Sequence, residues 1–220
     1  MKKTALVALL GFVALAPAAQ AQVKGIEITP TIGYRFSGTL SSGYNDGSTG
    51  YRVESVKVPN ALSYGLSFEY PLHPSANLEV LWSHQSSSIE ANWAPPGQPF
   101  TTQKFADLKI DTIQIGGMWL SGRPRDNVRW YLDFLIGATI LSPSDSNFNS
   151  MTRFSGSLGG GAKIYASDNI GVKLGARWMP VYINSSDSGY YSCGYYDCYT
   201  YYNTNYLNQF DLSAGLIIRF

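Results

Sequence analysis

The chain has 220 residues, 16 Lys and Arg against 15 Asp and Glu, and 45% apolar residues. So even a charge balance gives no reason to propose nucleic acid or a polybasic membrane contact. Gly, Ser, Tyr, Thr and Asn abound, and no long apolar run follows residue 21, which excludes a helical membrane protein.

At the start, Lys2 and Lys3 precede an uncharged run over 5–16, then Pro17 and "AAQAQ". A positive start, a short apolar core and an Ala19–Gln20–Ala21 site describe a secretory signal peptide cleaved before Gln22. About a dozen residues cannot span a bilayer that needs roughly 20. No Cys follows the core and no Arg pair precedes it, so neither a lipidated N-terminus nor the twin-arginine route is expected. The expected organisation is a signal peptide, 1–21, and one domain, 22–220. Without the signal, 14 basic residues face 15 acidic ones, a net charge of −1.

An exported chain that enters a membrane without helices must do so as a closed barrel of strands. Eight alternating segments are predicted, at about 26–38, 60–71, 77–90, 104–120, 128–141, 152–166, 169–183 and 208–220. In the first, Ile26, Ile28, Pro30, Ile32, Tyr34 and Phe36 oppose Glu27, Thr29, Thr31, Gly33 and Arg35. The second sets Leu62, Tyr64, Leu66, Phe68 and Tyr70 against Ala61, Ser63, Gly65, Ser67 and Glu69. The seventh and last repeat this pattern, the last with Leu212, Ala214, Leu216, Ile218 and Phe220 opposite Asp211, Ser213, Gly215 and Arg219. One polar face per strand suits a barrel in lipid.

The fourth segment changes phase: Leu108 and Ile110 hold one parity, Ile113, Ile115 and Trp119 the other. A bulge near Asp111–Thr112 would turn all five outward; the alternative points Ile113 and Ile115 into the lumen. The connections at 39–59, 91–103 and 184–207 are long, 142–151 is intermediate, and 72–76, 121–127 and the "SD" turn are short. Short periplasmic turns and long outer loops would put both termini in the periplasm.

A soluble lipocalin-like barrel would need the opposite arrangement, apolar inside. With the apolar faces outward, the lumen would collect Glu27, Glu69, Glu79, Asp107, Asp111, Asp133 and Asp211 with Arg35, Lys109, Lys163, Lys173, Arg177 and Arg219. Seven acids and six bases nearly cancel, and they make a poor cup for an apolar ligand. The expected fold is all-β, an eight-stranded antiparallel transmembrane barrel in up-and-down order.

The terminal "AGLIIRF", the "SDNIGVKLGARW" turn and strand, and "LEVLWSHQSSSIE" resemble the eight-stranded outer-membrane β-barrel proteins of Gram-negative bacteria. These include the OmpA transmembrane domain, OmpX and their relatives. The resemblance covers 22–220 as a pattern of weak motifs. It implies an outer-membrane location, contact with outer-membrane lipid, and a role for Phe220 in the C-terminal signal read by the barrel-assembly machinery. No cofactor or metal is implied.

Eight strands enclose room only for side chains, so the lumen charges are expected to fill it as a structural network. Small inward residues such as Gly33, Ser63, Gly65, Gly159 and Gly175 leave a narrow or gated channel as the alternative. An enzyme reading has one foothold, His84–Gln85–Ser86. Some outer-membrane lipid A deacylases are similar barrels with a His-x-Ser pair and a Glu on the lipid-facing wall. His84 and Ser86 share the outward parity of Trp82, but Glu90 lies six residues away, about 20 Å along a strand. With the other acids assigned inward, no carboxylate is expected to reach the imidazole, and no catalysis is expected.

What remains is the last loop, which carries eight of sixteen tyrosines, Tyr190, Tyr191, Tyr195, Tyr196, Tyr199, Tyr201, Tyr202 and Tyr206, and both cysteines, Cys193 and Cys198. Tyr-, Ser- and Gly-rich loops make adaptable contact surfaces, so binding of an external ligand or a host or phage surface is expected here; the alternative is that the rings extend the aromatic girdle. The only two cysteines of an exported chain are expected to pair. Two thiols without a nearby His leave a metal short of ligands. Mass spectrometry of the unreduced tryptic loop fragment should show a two-proton deficit, and free thiols in protein purified without reductant would refute the bridge.

Overall fold

The computed structural model describes residues 25–45, 50, 52–144, 150–183 and 206–220. Ten strands are present among them: β1 (Glu27–Ser37), β2 (Thr39–Asn45), β3 (Arg52–Lys57), β4 (Ala61–His73), β5 (Ala76–Ala94), β6 (Thr101–Leu120), β7 (Val128–Pro143), β8 (Met151–Tyr165), β9 (Ile170–Tyr182) and β10 (Tyr206–Arg219). Eight of them form a ring in the order β1, β4, β5, β6, β7, β8, β9, β10, every pair antiparallel. The first and last strands close the ring, from Glu27 opposite Arg219 to Ser37 opposite Gln209. Closure leaves no ring strand with an unpaired edge, the condition for crossing lipid as strands. Both described chain ends and the short turns lie at one end of the barrel, the terminal end; the long connections lie at the loop end.

Alternation along each strand sorts the residues. Ile32, Leu62, Trp130, Leu132 and Trp119 project outward, with exposures of 63%, 65%, 66%, 63% and 72%. Glu69, Glu79, Thr139 and Lys163 point inward with no exposed surface. An apolar wall around a charged interior inverts the arrangement of a soluble barrel and requires lipid outside.

Two expectations need correction. The first long connection is not simply a loop: β2 and β3 form a hairpin, and β3 pairs with the part of β5 that rises beyond β4, from Arg52 opposite Ala94 to Lys57 opposite Glu90. These strands are short, and their alternation is too weak to announce them. The connection predicted at 91–103 also shrinks, because β5 runs to Ala94 and β6 starts at Thr101. Gln98 N donates to Pro95 O at 3.1 Å across a turn in which Gly97 has φ of 71°. Proline at the second position and glycine at the third suit a type II turn, whose third residue needs positive φ.

The second correction concerns β6. No bulge lies at Asp111–Thr112, and pairing with β5 is regular from Trp119 up to Ala106. The irregularity comes higher: Ile89 faces Ala106 but Glu90 faces Lys104, so Phe105 is the extra residue. Below it Asp107, Lys109 and Asp111 therefore project outward, while Leu108 and Ile110 are buried inside. The shift also brings Lys104 and Asp107 onto one face, where they form an ion pair at 2.5 Å.

Leu108 and Ile110 point inward because the loop end of the lumen is apolar. With Val58, Ile89, Leu141, Val181 and Leu207 they form a buried cluster, flanked by Val56, Met151 and Ile183. Burying this set inside satisfies the side chains as well as lipid would, and it fills the mouth of the barrel. Ile110→Ala should cost about 2–5 kcal/mol through the cavity it opens. Ile113→Ala, on the outer wall, should cost less because lipid can close over it. Denaturant unfolding in the same detergent compares them, and equal losses would contradict the inward packing of Ile110.

Candidate functional site

The lumen is layered. Beneath the apolar plug lies a neutral polar layer: Thr112 and Thr139 hydroxyls meet at 3.0 Å, and Thr139 donates to Ser155 at 3.0 Å. The Gln114 amide donates to Ser155 at 3.1 Å and accepts from Ser157 at 2.8 Å. Below this comes an alternating chain of charges contributed by seven strands. Arg219 meets Glu27 at 2.5 Å, Glu27 meets Lys163 at 2.7 Å, and Lys163 pairs with Glu69. Glu69 meets Lys173 at 3.0 Å and Lys173 meets Glu79 at 2.9 Å. Arg177 then joins Glu79 at 3.4 Å to Asp133 at 3.1 Å. Arg35 and Asp211 make a separate pair at 3.1 Å, with Ser63 donating to Asp211 and Arg35 to Ser83.

Four bases alternate with four acids along the chain, so each internal charge lies between two of opposite sign. That arrangement offsets much of the cost of taking ions out of water. Glycine makes it sterically possible: a Cβ at Gly159 would sit 2.7 and 2.8 Å from the two Asp133 oxygens and 3.0 Å from Arg177 Nε. The space left among Arg35, Ser83, Tyr131, Lys173, Arg177 and Asp211 is a cavity of about 30 Å³, the scale of one or two water molecules.

Some participants are not evident from charge alone. Tyr165 donates to Glu27 at 3.0 Å beneath the Arg219 guanidinium. Arg129 is buried at the terminal end and donates to Pro74 O at 2.5 Å and Ser121 O at 3.2 Å, tying two short turns together. Its parity with Tyr131 and Asp133 was the available signal. At the other extreme, Asp107, Lys109 and Asp111 do not join the lumen network.

Asp111 instead lies on the outer wall opposite His84. His84 Nδ1 is 2.8 Å from Asp111 Oδ1, and His84 Nε2 is 3.1 Å from Ser86 Oγ. The expectation that no carboxylate reaches His84 is therefore corrected: the acid comes from the neighbouring strand, because β6 keeps its phase where a bulge had been expected.

Phe220 projects outward at the terminal end, and its backbone N donates to Ile26 O at 3.0 Å. Tyr206 opens β10 opposite Tyr182, with ring centroids 5.4 Å apart, and so stands in the aromatic fringe of the wall. Tyr190, Tyr191, Tyr195, Tyr196, Tyr199, Tyr201, Tyr202, Cys193 and Cys198 lie outside the described residues, as do Ala19, Ala21 and Gln22.

This architecture has solved counterparts. Neisserial surface protein A aligns over 89% of this chain and 97% of its own, at 14% identity and a TM-score of 0.55. The outer membrane protein OprG from Pseudomonas aeruginosa aligns over 90% and 97%, at 13% identity and a TM-score of 0.52. The fold is that of an outer-membrane β-barrel. No family model matches the chain, and no curated protein matches it.

Glu27 ties the closing seam to the rest of the network, which sets a specific expectation. Glu27→Lys or Arg219→Glu alone should destabilise the barrel by about 3–5 kcal/mol, the cost of stranding a buried charge. The double swap should recover only part, since a lysine at 27 would face Lys163. Thermal unfolding of the four proteins measures the coupling, and strictly additive losses would refute it.

Proposed function

We propose that the chain is an integral outer-membrane protein of a Gram-negative bacterium, with a structural or surface-interaction role exerted through its loop end. In this reading residues 1–21 are removed as a signal peptide, the termini face the periplasm, and the barrel-assembly machinery engages Phe220 during biogenesis. The loop over 184–205 faces outward, with its cysteines bridged and its tyrosines offered to an external ligand or surface.

The observation that carries the reading is the closed lumen. An apolar plug of Val58, Ile89, Leu108, Ile110, Leu141, Val181 and Leu207 stands above a neutral layer and an ion-paired chain. A conducting path would have to breach all three layers. This disfavours the narrow channel and leaves the exposed ends as the place where the protein meets other molecules. Nothing in such a role requires chemistry or a cofactor, and neutral composition offers no grip on nucleic acid.

The purified barrel should be electrically silent in planar bilayers, and steady single-channel steps would overturn the closed-lumen reading. Cells carrying the protein should bind at least one host, phage or envelope component from a panel. Deletion of 185–205 should abolish that binding while leaving the barrel's unfolding temperature unchanged; equal binding by the deletion variant would refute a role for the loop.

A further inference from the structure

Most of the outer wall is apolar, and one patch is not. On β5 the outward positions run Leu78, Val80, Trp82, then His84, Ser86 and Ser88; on β6 they run Trp119, Gly117, Ile115, Ile113, then Asp111, Lys109 and Asp107. Register places His84 beside Asp111, Ser86 beside Lys109 and Ser88 beside Asp107. Tyr64 on β4 flanks the patch, its ring 4.9 Å from the His84 ring and 6.0 Å from that of Trp82.

Strand geometry explains the juxtaposition. Residues two apart share a face, which puts Ser86 directly beyond His84, and directly opposed residues bring their Cβ atoms within about 5.5 Å. The imidazole is consequently held from both sides, at 2.8 Å by Asp111 and at 3.1 Å by Ser86. An ionised carboxylate only accepts, so Nδ1–H donates to Asp111 and Nε2 is left to accept the Ser86 hydroxyl proton. The imidazole is shielded, its side chain 12% exposed, while Ser86 is open on the wall. An oriented base between an acid and an accessible hydroxyl is the arrangement that activates serine.

We propose that Ser86, His84 and Asp111 form a serine-hydrolase triad on the outer wall, cutting an acyl ester of a lipid in the surrounding membrane. Position selects the substrate. His84 lies eight residues beyond Ala76, which for a strand tilted about 40° is a rise of about 20 Å in an apolar band about 25 Å tall. Below the patch the wall is apolar; above it are Lys109, Ser88 and the Lys104–Asp107 pair. That boundary is the depth at which acyl chains join polar head groups through ester bonds. The leaflet, though not the chemistry, rests on the orientation proposed above.

In the reaction Ser86 Oγ attacks the ester carbonyl carbon while His84 Nε2 takes the hydroxyl proton. The carbonyl–alkoxy bond then breaks, and His84 returns the proton to the departing alcohol oxygen, leaving an acyl group on Ser86. Water attacks that acyl group, His84 takes its proton and passes it to Ser86 Oγ, and the fatty acid leaves. Asp111 is a positioning residue, holding the imidazole tautomer and the charge that forms on it. Strand amides are engaged in the ladder, so Lys109 is the group placed to stabilise the oxyanion.

The test uses the purified full chain in mixed detergent micelles with either phosphatidylethanolamine or lipopolysaccharide, and measures fatty acid by mass spectrometry. The wild type should release fatty acid from one of them, which identifies the lipid source. Ser86→Ala and His84→Gln should each lower the release by about 10³-fold or more. Asp111→Asn should lower kcat by about 10²–10⁴-fold with KM little changed, and Asp111→Glu should restore part of the loss. A fluorophosphonate should add its mass to Ser86 in the wild type and fail to do so in His84→Gln. Unfolding temperatures matching the wild type confirm that the outward-facing variants fold. No fatty acid from either lipid overturns the proposal whatever the label shows, as does release that survives Ser86→Ala. Micelles expose the whole wall, so the result is independent of membrane orientation and of the loop-binding and conductance experiments.

Discussion

A strand that crosses lipid has no water to satisfy its amides, so its hydrogen bonds must all go to other strands. Here that requirement is met by the seam between β1 and β10, where Glu27 to Ser37 pair with Arg219 to Gln209. Once the ring is closed, strict alternation assigns every side chain to lipid or lumen, with little freedom elsewhere. The charged interior, the apolar wall and the few places where either is interrupted follow from that assignment.

The interior shows how a narrow barrel tolerates so much charge. A buried carboxylate alone would be prohibitive, but Glu69 between Lys163 and Lys173, and Glu79 between Lys173 and Arg177, are compensated on two sides. The residues come from strands distant in sequence, so the chain of ion pairs also cross-links the ring through its centre. Toward the loop end the same space is filled by apolar packing instead. Charge pairing and hydrophobic packing thus divide one lumen, and together they fill much of it.

The outer wall obeys the complementary rule, with residues facing lipid chosen for transfer energy. Against that background the His84, Ser86, Asp111 and Lys109 patch stands out because it interrupts an otherwise apolar face of the wall toward the loop end. A polar fringe at this depth is ordinary; an imidazole bonded at both nitrogens, to a carboxylate on one strand and a hydroxyl on the other, is more ordered than a fringe requires. The filled lumen and this patch are what the two proposals above rest on, in which the protein meets other molecules at its loop end and its outer wall.

The eight ring strands were legible because half-buried strands write their environment into the sequence at a period of two. Ile32 against Arg35 and Leu212 against Asp211 needed nothing more. The hairpin of β2 and β3 was not legible, because "TLSSGYN" and "RVESVK" are short and alternate weakly, and β3 is stabilised by pairing with the upper part of β5. The phase of β6 was misjudged for a different reason. Leu108 and Ile110 are apolar whether they meet lipid or the inner plug, so hydrophobicity alone could not say which side they face. Only the assembled ring decided it, by supplying Val58, Val181 and Leu207 from other strands as partners inside. That decision turned Asp111 outward to His84. The sequence by itself determined the class of fold and most of the wall; the tertiary structure decided which side of it one strand's carboxylate occupies, because inward and outward are properties of the closed ring and not of any segment.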